Sequence, residues 1–178
     1  MTSSGPVPAQ RLIDRENPSI AVLAERLKER IYAQLTVVAV TLGLALSAVE
    51  SEAGAASTVA ATAVGLWLAT LAADQQAHAA AYGRMLRGRE LRTLLFRTSP
   101  LLTAAVGPLV LVGLAALDLL PLATALYSAV GVDLALMFAW GLGLGRRMGA
   151  GWPAALLSGL VNVLIGGLVV GVKLLAGH

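Results

Sequence analysis

The stretch Ala123-Thr-Ala-Leu-Tyr-Ser-Ala-Val-Gly-Val-Asp133-Leu-Ala-Leu-Met-Phe-Ala-Trp-Gly-Leu142 decides how this chain folds. Its only charge is Asp133. As a helix it rises about 30 Å, the thickness of a bilayer's hydrocarbon core. Asp133 then falls roughly 18 Å from either flank, Pro121 or Arg146, near the midplane. A carboxylate there costs about 2.5–3.5 kcal/mol even on insertion scales, so it normally faces a bundle interior and marks a functional path. The plainer alternative is a packing clamp against Ser128 or Tyr127 of a neighbouring protomer.

The flanks repeat the pattern. Apolar stretches of spanning length run over 31–49, 57–82, 100–117, 122–145 and 152–176, which predicts an all-α, polytopic membrane protein of five helices. Residues 19–178 form that single domain, behind a mobile tail over 1–18 rich in proline, serine and glycine. Asp118-Leu-Leu-Pro121 is short enough to make spans three and four an antiparallel hairpin. Composition agrees: 57% of the 178 residues are hydrophobic and 13% charged, about half the charged share of a soluble domain. Cysteine is absent, which removes disulfides and thiolate chemistry. The first thirty residues lack the apolar core of a cleavable signal.

Basic residues set the orientation. Arg11, Arg15, Arg26, Lys28 and Arg30 precede the first span, Arg84, Arg87, Arg89, Arg92 and Arg97 follow the second, and Arg146 and Arg147 follow the fourth. The alternate loops carry Glu50, Glu52 and Asp118 and no basic residue. By the positive-inside rule the N-terminus is cytoplasmic and the C-terminus, His178, is outside. The expected location is the plasma (inner) membrane. The net charge of +3 is explained by these flanks, so no nucleic-acid partner is expected.

Two cytoplasmic segments have amphipathic character. Asn17-Pro18-Ser19 reads as a helix start. Ile20, Leu23, Ala24, Leu27 and Ile31 then recur at helical spacing, so one helix continues from the surface into the membrane. In the basic loop 83–99, Met85, Leu86, Leu91, Leu94, Leu95 and Phe96 form an apolar side opposite the arginines. The expected contact of Arg84, Arg87, Arg89, Arg92 and Arg97 is anionic lipid headgroups or a partner.

Polar residues gather inside the apolar spans. Thr70, Asp74, His78 and Tyr82 recur every four residues and share one helix face. Measured from Arg84, Asp74 lies about 15 Å into the membrane; Asn162 lies roughly 16 Å above Gly151, and Asp133 about 20 Å above Arg146. That arithmetic puts Asp133, Asp74, His78 and Asn162 on one polar shelf, with Met137 a turn from Asp133. Gly107-Pro108 falls at the same level, where proline frees a carbonyl and bends the helix. The shelf suits protons or cations; Asp, His and Met together suit Fe(II) or Mn(II), though the metal is left open. The plainer readings are an interhelical hydrogen bond for Asn162 and a mutual pair for Asp74 and His78.

Gly167-Leu-Val-Val-Gly171 and the Gly159–Gly166 spacing give faces for close helix approach within a bundle or dimer. Trp67, Trp140 and Trp152 read as packing or interface anchors, and Lys173 as a snorkelling residue. Neither HExxH nor GxSxG occurs and there are only two histidines, so neither enzyme activity nor a cofactor is expected.

Five spans, an inside N-terminus, an outside C-terminus and a cytoplasmic segment between spans two and three resemble the vacuolar iron transporter family. The closing stretch Leu157-Ser-Gly-Leu-Val-Asn-Val-Leu-Ile-Gly-Gly-Leu-Val-Val-Gly171 is similar in texture to that family's last helix. The chain also resembles small bacterial integral membrane proteins. The first resemblance implies the scaffold over about 31–175. It departs at the motifs: Gln34-Leu-Thr36-Val stands where the family has an Asp-Gly pair. Ala73-Asp74-Gln75-Gln76 replaces a Gly-Glu-Tyr signature, and an arginine-rich loop replaces a glutamate-rich metal domain. Of the family's functional positions only Asp74 is carried over. The expected function is a small, dimeric transporter or channel-like protein for protons or cations. The alternative is a non-transporting scaffold or accessory subunit whose buried polar residues specify helix pairing.

Overall fold

The computed structural model describes residues 18–176 apart from 48, 148 and 150, and leaves out the side chains of 18–21, 23, 173, 174 and 176. Residues 1–17 of the tail expected over 1–18, with the cap at Asn17, the Lys173 side chain and His178, lie outside the described residues. Within them the chain is helical, with no strand. Seven helices follow in order: α1 Pro18–Leu46, α2 Glu52–Tyr82, α3 Arg89–Thr98, α4 Pro100–Thr103, α5 Val106–Ala116, α6 Leu122–Arg147 and α7 Trp152–Ala176.

Local chemistry sets the boundaries. Ser51 caps α2, its Oγ accepting from the Gly54 N–H at 3.1 Å, and Glu52 adds negative charge at the positive end of the helix. Gly83, at φ 68°, ends α2 by donating its N–H to the Ala79 carbonyl, a left-handed cap that suits glycine. Helix α2 therefore starts five residues before the expected Ser57. Its 31 residues rise about 46 Å, more than a hydrocarbon core requires.

Four helices are long and apolar enough to cross a membrane: α1 from Ala24, α2, α6, and α7 as far as Val172. A fifth span arises if the bent pair Arg89–Thr103 and Val106–Ala116 counts as one. Within the expected third span over 100–117 the helix is interrupted at Ala104-Ala105, with a bend of 42°. Pro108 supplies the physical reason, since it has no N–H to return to the carbonyl of Ala104.

Helix α1 packs against α2, α3, α4, α6 and α7, while the most extensive pairing is α6 with α7. Four apolar clusters mark these contacts. Ala33 and Val37 of α1 meet Leu101, Ala104 and Trp67; Val59 and Ala63 of α2 meet Ala105 and Leu109. Val38 and Leu42 meet Val130 and Val170; Ala45, Ala55, Val112 and Leu126 close the end that carries Glu50, Glu52 and Asp118. Outward, Leu157, Leu160, Leu164 and Leu168 of α7, with Val64 and Leu68 of α2, stay exposed. So broad an apolar exterior is what a lipid environment requires and water does not tolerate.

Glycine makes the α6–α7 contact possible. A methyl group at Gly145 would fall 2.5 Å from the Ala155 Cα, and one at Gly141 would fall 2.6 Å from the Ser158 carbonyl oxygen. Gly159 is closed in the same way by Phe138, and Gly166 by Leu134 and Met137. Gly167 and Gly171, by contrast, have nothing within 4 Å. The α7 stripe that pairs within the bundle is therefore Gly159–Gly166.

Candidate functional site

Asp133 sits on the buried face of α6 with Ala125, Leu126, Ala129, Val130, Met137 and Gly141. Only 2% of its surface is accessible. From α1, Gln34 (3% accessible) donates Nε2–H to the Asp133 backbone carbonyl at 3.4 Å. In the first turn of α5, Gly107 faces the acid: an added methyl would stand 4.0 Å from Asp133 Oδ1, an ordinary contact distance. The helix break and the acid are therefore neighbours, as their depths suggested.

Several buried polar atoms here lack a hydrogen-bond partner among the described residues. They are Asp133 Oδ2, Gln34 Oε1, Thr41 Oγ1 and Arg30 Nε. Such atoms are uncommon in native interiors, and each one left unmatched costs about 1–3 kcal/mol. Arg30 lies with its guanidinium 4.4 Å from the centre of the Trp140 ring, joining α1 to α6 at the basic end. Arg26 over Phe96 and Arg146 over Trp152 make similar contacts at 4.0 and 4.6 Å.

Asn162 donates from Nδ2 to the Met137 carbonyl at 3.4 Å, a bond from α7 to α6. Its plainer sequence reading, an interhelical tie, describes what it does here. The Met137 sulfur packs towards Gly166, where an added methyl would lie 3.1 Å away. It is thus engaged with α7.

Asp74 belongs elsewhere. Its Oδ2 accepts from Arg97 Nη2 of α3 at 2.9 Å, with the two side chains 35% and 31% exposed. Arg26 fixes the level of this end: it donates to the Phe96 carbonyl and to Ser99 Oγ at 3.4 Å. Gln34, beside Asp133, is eight residues and about 12 Å further along α1. The single shelf expected from helix arithmetic is therefore two levels. The arithmetic took Arg84 as the membrane edge; counted from the capped start at Glu52, Asp74 lies about 33 Å along α2, at the far boundary.

Around Asp74 the α2 terminus and α3 enclose an open groove of about 510 Å³, lined by His78, Tyr82, Glu90, Thr93 and Arg97 among others. His78 pairs with Tyr82, not Asp74: their ring centres are 4.6 Å apart, and His78 Nε2 is buried without a partner. Two ties hold α3 in place and a third holds the turn before it. Trp67 Nε1 donates to Thr98 Oγ1 at 3.2 Å, Arg97 pairs with Asp74, and Gln75 Oε1 accepts the Leu86 N–H at 2.9 Å. At the turn, both terminal nitrogens of Arg84 donate to Glu90 at 2.7 Å. That bidentate pair pulls the Glu90 carboxyl down to about 2. Arg87, Arg89 and Arg92 are exposed and have no side-chain partner among the described residues.

Sequence reasoning passed over Arg30, Gln34 and Thr41 as site residues. A signal was present: positions 30, 34 and 41 share one face of the first helix. No described group of three or more His, Cys, Asp or Glu side chains is arranged to hold a metal ion. Compared with family models, curated proteins and solved structures, the chain matches none.

Proposed function

We propose that this protein is a small multi-pass membrane transporter or channel-like protein moving protons or small cations through an occluded site at Asp133. One observation carries the reading: a carboxylate sealed among three helices, beside a helix break, with one oxygen that no protein donor reaches. Intramembrane acids in bundle interiors usually serve ion or proton movement, and broken helices recur where such sites open and close. In this reading α4 and α5 make the fifth span, the arginine-rich α3 and the turn before it lie at the cytoplasmic surface, and the protein lies in the inner membrane. Two copies would pair in the bilayer, since five spans are few for a lone carrier.

The test is flux in proteoliposomes, with protons, sodium, potassium and a divalent metal assayed in parallel. Asp133→Asn keeps the shape and removes the charge. It should reduce flux of the transported ion to that of protein-free vesicles. A second reading, a non-transporting scaffold, draws on the Asn162 bond to the Met137 carbonyl and the glycine-closed α6–α7 contact. It gains if no ion moves in the wild type and Asp133→Asn instead alters oligomeric state.

A further inference from the structure

The unmatched polar atoms around Asp133 lie along a line. Arg30, Gln34 and Thr41 share one face of α1, with Gln34 about 6 Å from Arg30 and Thr41 about 10 Å beyond Gln34 along the axis. Gln34 and Thr41 are 3% and 0% accessible. Each of the three carries a buried nitrogen or oxygen without a protein partner, and Asp133 adds a fourth opposite Gln34. Of the five such atoms among the described residues, only His78 Nε2 lies away from this seam. We infer that the α1–α6 seam is a proton path, with Asp133 as the group that takes up and releases the proton, Gln34 as its hydrogen-bond partner, Thr41 as a flanking station and Arg30 as a fixed donor at one end.

This rests on the transport reading and narrows its substrate to the proton. The donor set favours that choice. A calcium ion takes six to eight oxygens and magnesium a near-ideal octahedron, whereas the unmatched acceptors here number three. One proton on Asp133 Oδ2 turns an unmatched acceptor into a donor, and Gln34 Oε1 is an unmatched acceptor on the residue already bonded to Asp133. The walls are close-packed: Val37, Val38 and Ala129 are at most 1% accessible, which leaves little room for a hydrated metal ion. Along the seam beyond Arg30 no other charge competes: α5 has none and α7 has only Lys173, about 16 Å beyond Asn162 by helix rise, while Glu29, with its side chain 12% exposed, sits beside Arg30 at the basic end.

Full-length protein in liposomes tests this with a trapped pH-sensitive dye beside sodium and potassium assays, using wild type, Asp133→Asn, Thr41→Val and Asp74→Asn. Thr41→Val replaces a hydroxyl by a methyl of similar size, and monodisperse size-exclusion peaks verify folding. Proton flux should vanish in Asp133→Asn, fall severalfold in Thr41→Val and persist in Asp74→Asn, with no alkali-ion flux. Asp133-dependent sodium or potassium flux without proton flux would overturn the inference and leave the transport reading intact. Proton flux unaffected by Thr41→Val but lost in Asp74→Asn would overturn the path. Absence of any Asp133-dependent flux removes the transport reading itself.

Discussion

Asp133 and Asp74 are both carried by helices long enough to cross a membrane, yet the fold treats them in opposite ways. Asp133 is enclosed by α1, α5 and α6, and one of its oxygens has no donor among the described residues. Asp74 is about one-third exposed beside an open groove and has an arginine 2.9 Å away. The second arrangement is a stable end state: opposite charges meet where water still screens them. The first is expensive when ionised and relaxed when a proton arrives. A residue kept in a costly environment without a structural partner is where function is expected, whereas a matched ion pair needs only a structural explanation.

The largest expected effect breaks the closed side of this comparison. Gly145→Val places its side chain against the Ala155 Cα and forces α6 and α7 apart. Overpacking of that kind costs about 3 kcal/mol, and the melting temperature in detergent should fall sharply with loss of a monodisperse peak. Gly65→Ala on α2, where nothing lies within 4 Å, should be neutral or gain up to about 1 kcal/mol from helix propensity. Equal tolerance at both positions would mean that the α6–α7 seam is not closed.

Next in size is a pair of leucine substitutions. Asp133→Leu removes an unmatched buried oxygen and should leave stability unchanged or raise it by about 1–3 kcal/mol. Asp74→Leu breaks a matched pair and should lower stability by up to about 1 kcal/mol, the value being small because both partners are partly exposed. Opposite signs in thermal unfolding would sharpen the contrast. Strong destabilisation by Asp133→Leu would point instead to a clamp, the scaffold reading.

The chain itself discloses these features unequally. The long apolar runs behind α6 and α7 are legible because lipid solvation demands about twenty apolar residues wherever a helix crosses. The bend ahead of Pro108, at Ala104-Ala105, is legible because a missing N–H is a local fact. The level of Asp74 is not, because it depends on which end of a 31-residue helix marks the membrane edge. The basic turn at Arg84 draws the eye, but the Ser51 cap and Glu52 fix the other end. Gln34 stays hidden for a different reason: an uncharged amide gains meaning only from the partner that tertiary packing brings to it.

The smallest effect concerns the rim of the groove, where Arg84 and Glu90 pair with their side chains about half exposed, at 56% and 42%. The Glu90 carboxyl is held at about 2, below its ordinary 4.5, first by the hydrogen bonds from Arg84. Because the folded-state value is depressed, any stabilisation from this pair is complete above the ordinary value. It is lost as pH falls from about 4.5 towards 2. A carboxyl resonance of Glu90 followed by NMR in detergent should titrate near 2 in the wild type and near 4.5 in Arg84→Gln. Thermal stability at neutral pH should hardly differ between them, since a bidentate pair in water mainly fixes the geometry of the turn. A wild-type titration near 4.5 would mean that the turn opens in solution, and the groove would then lose the wall that sets it apart from the sealed seam at Asp133.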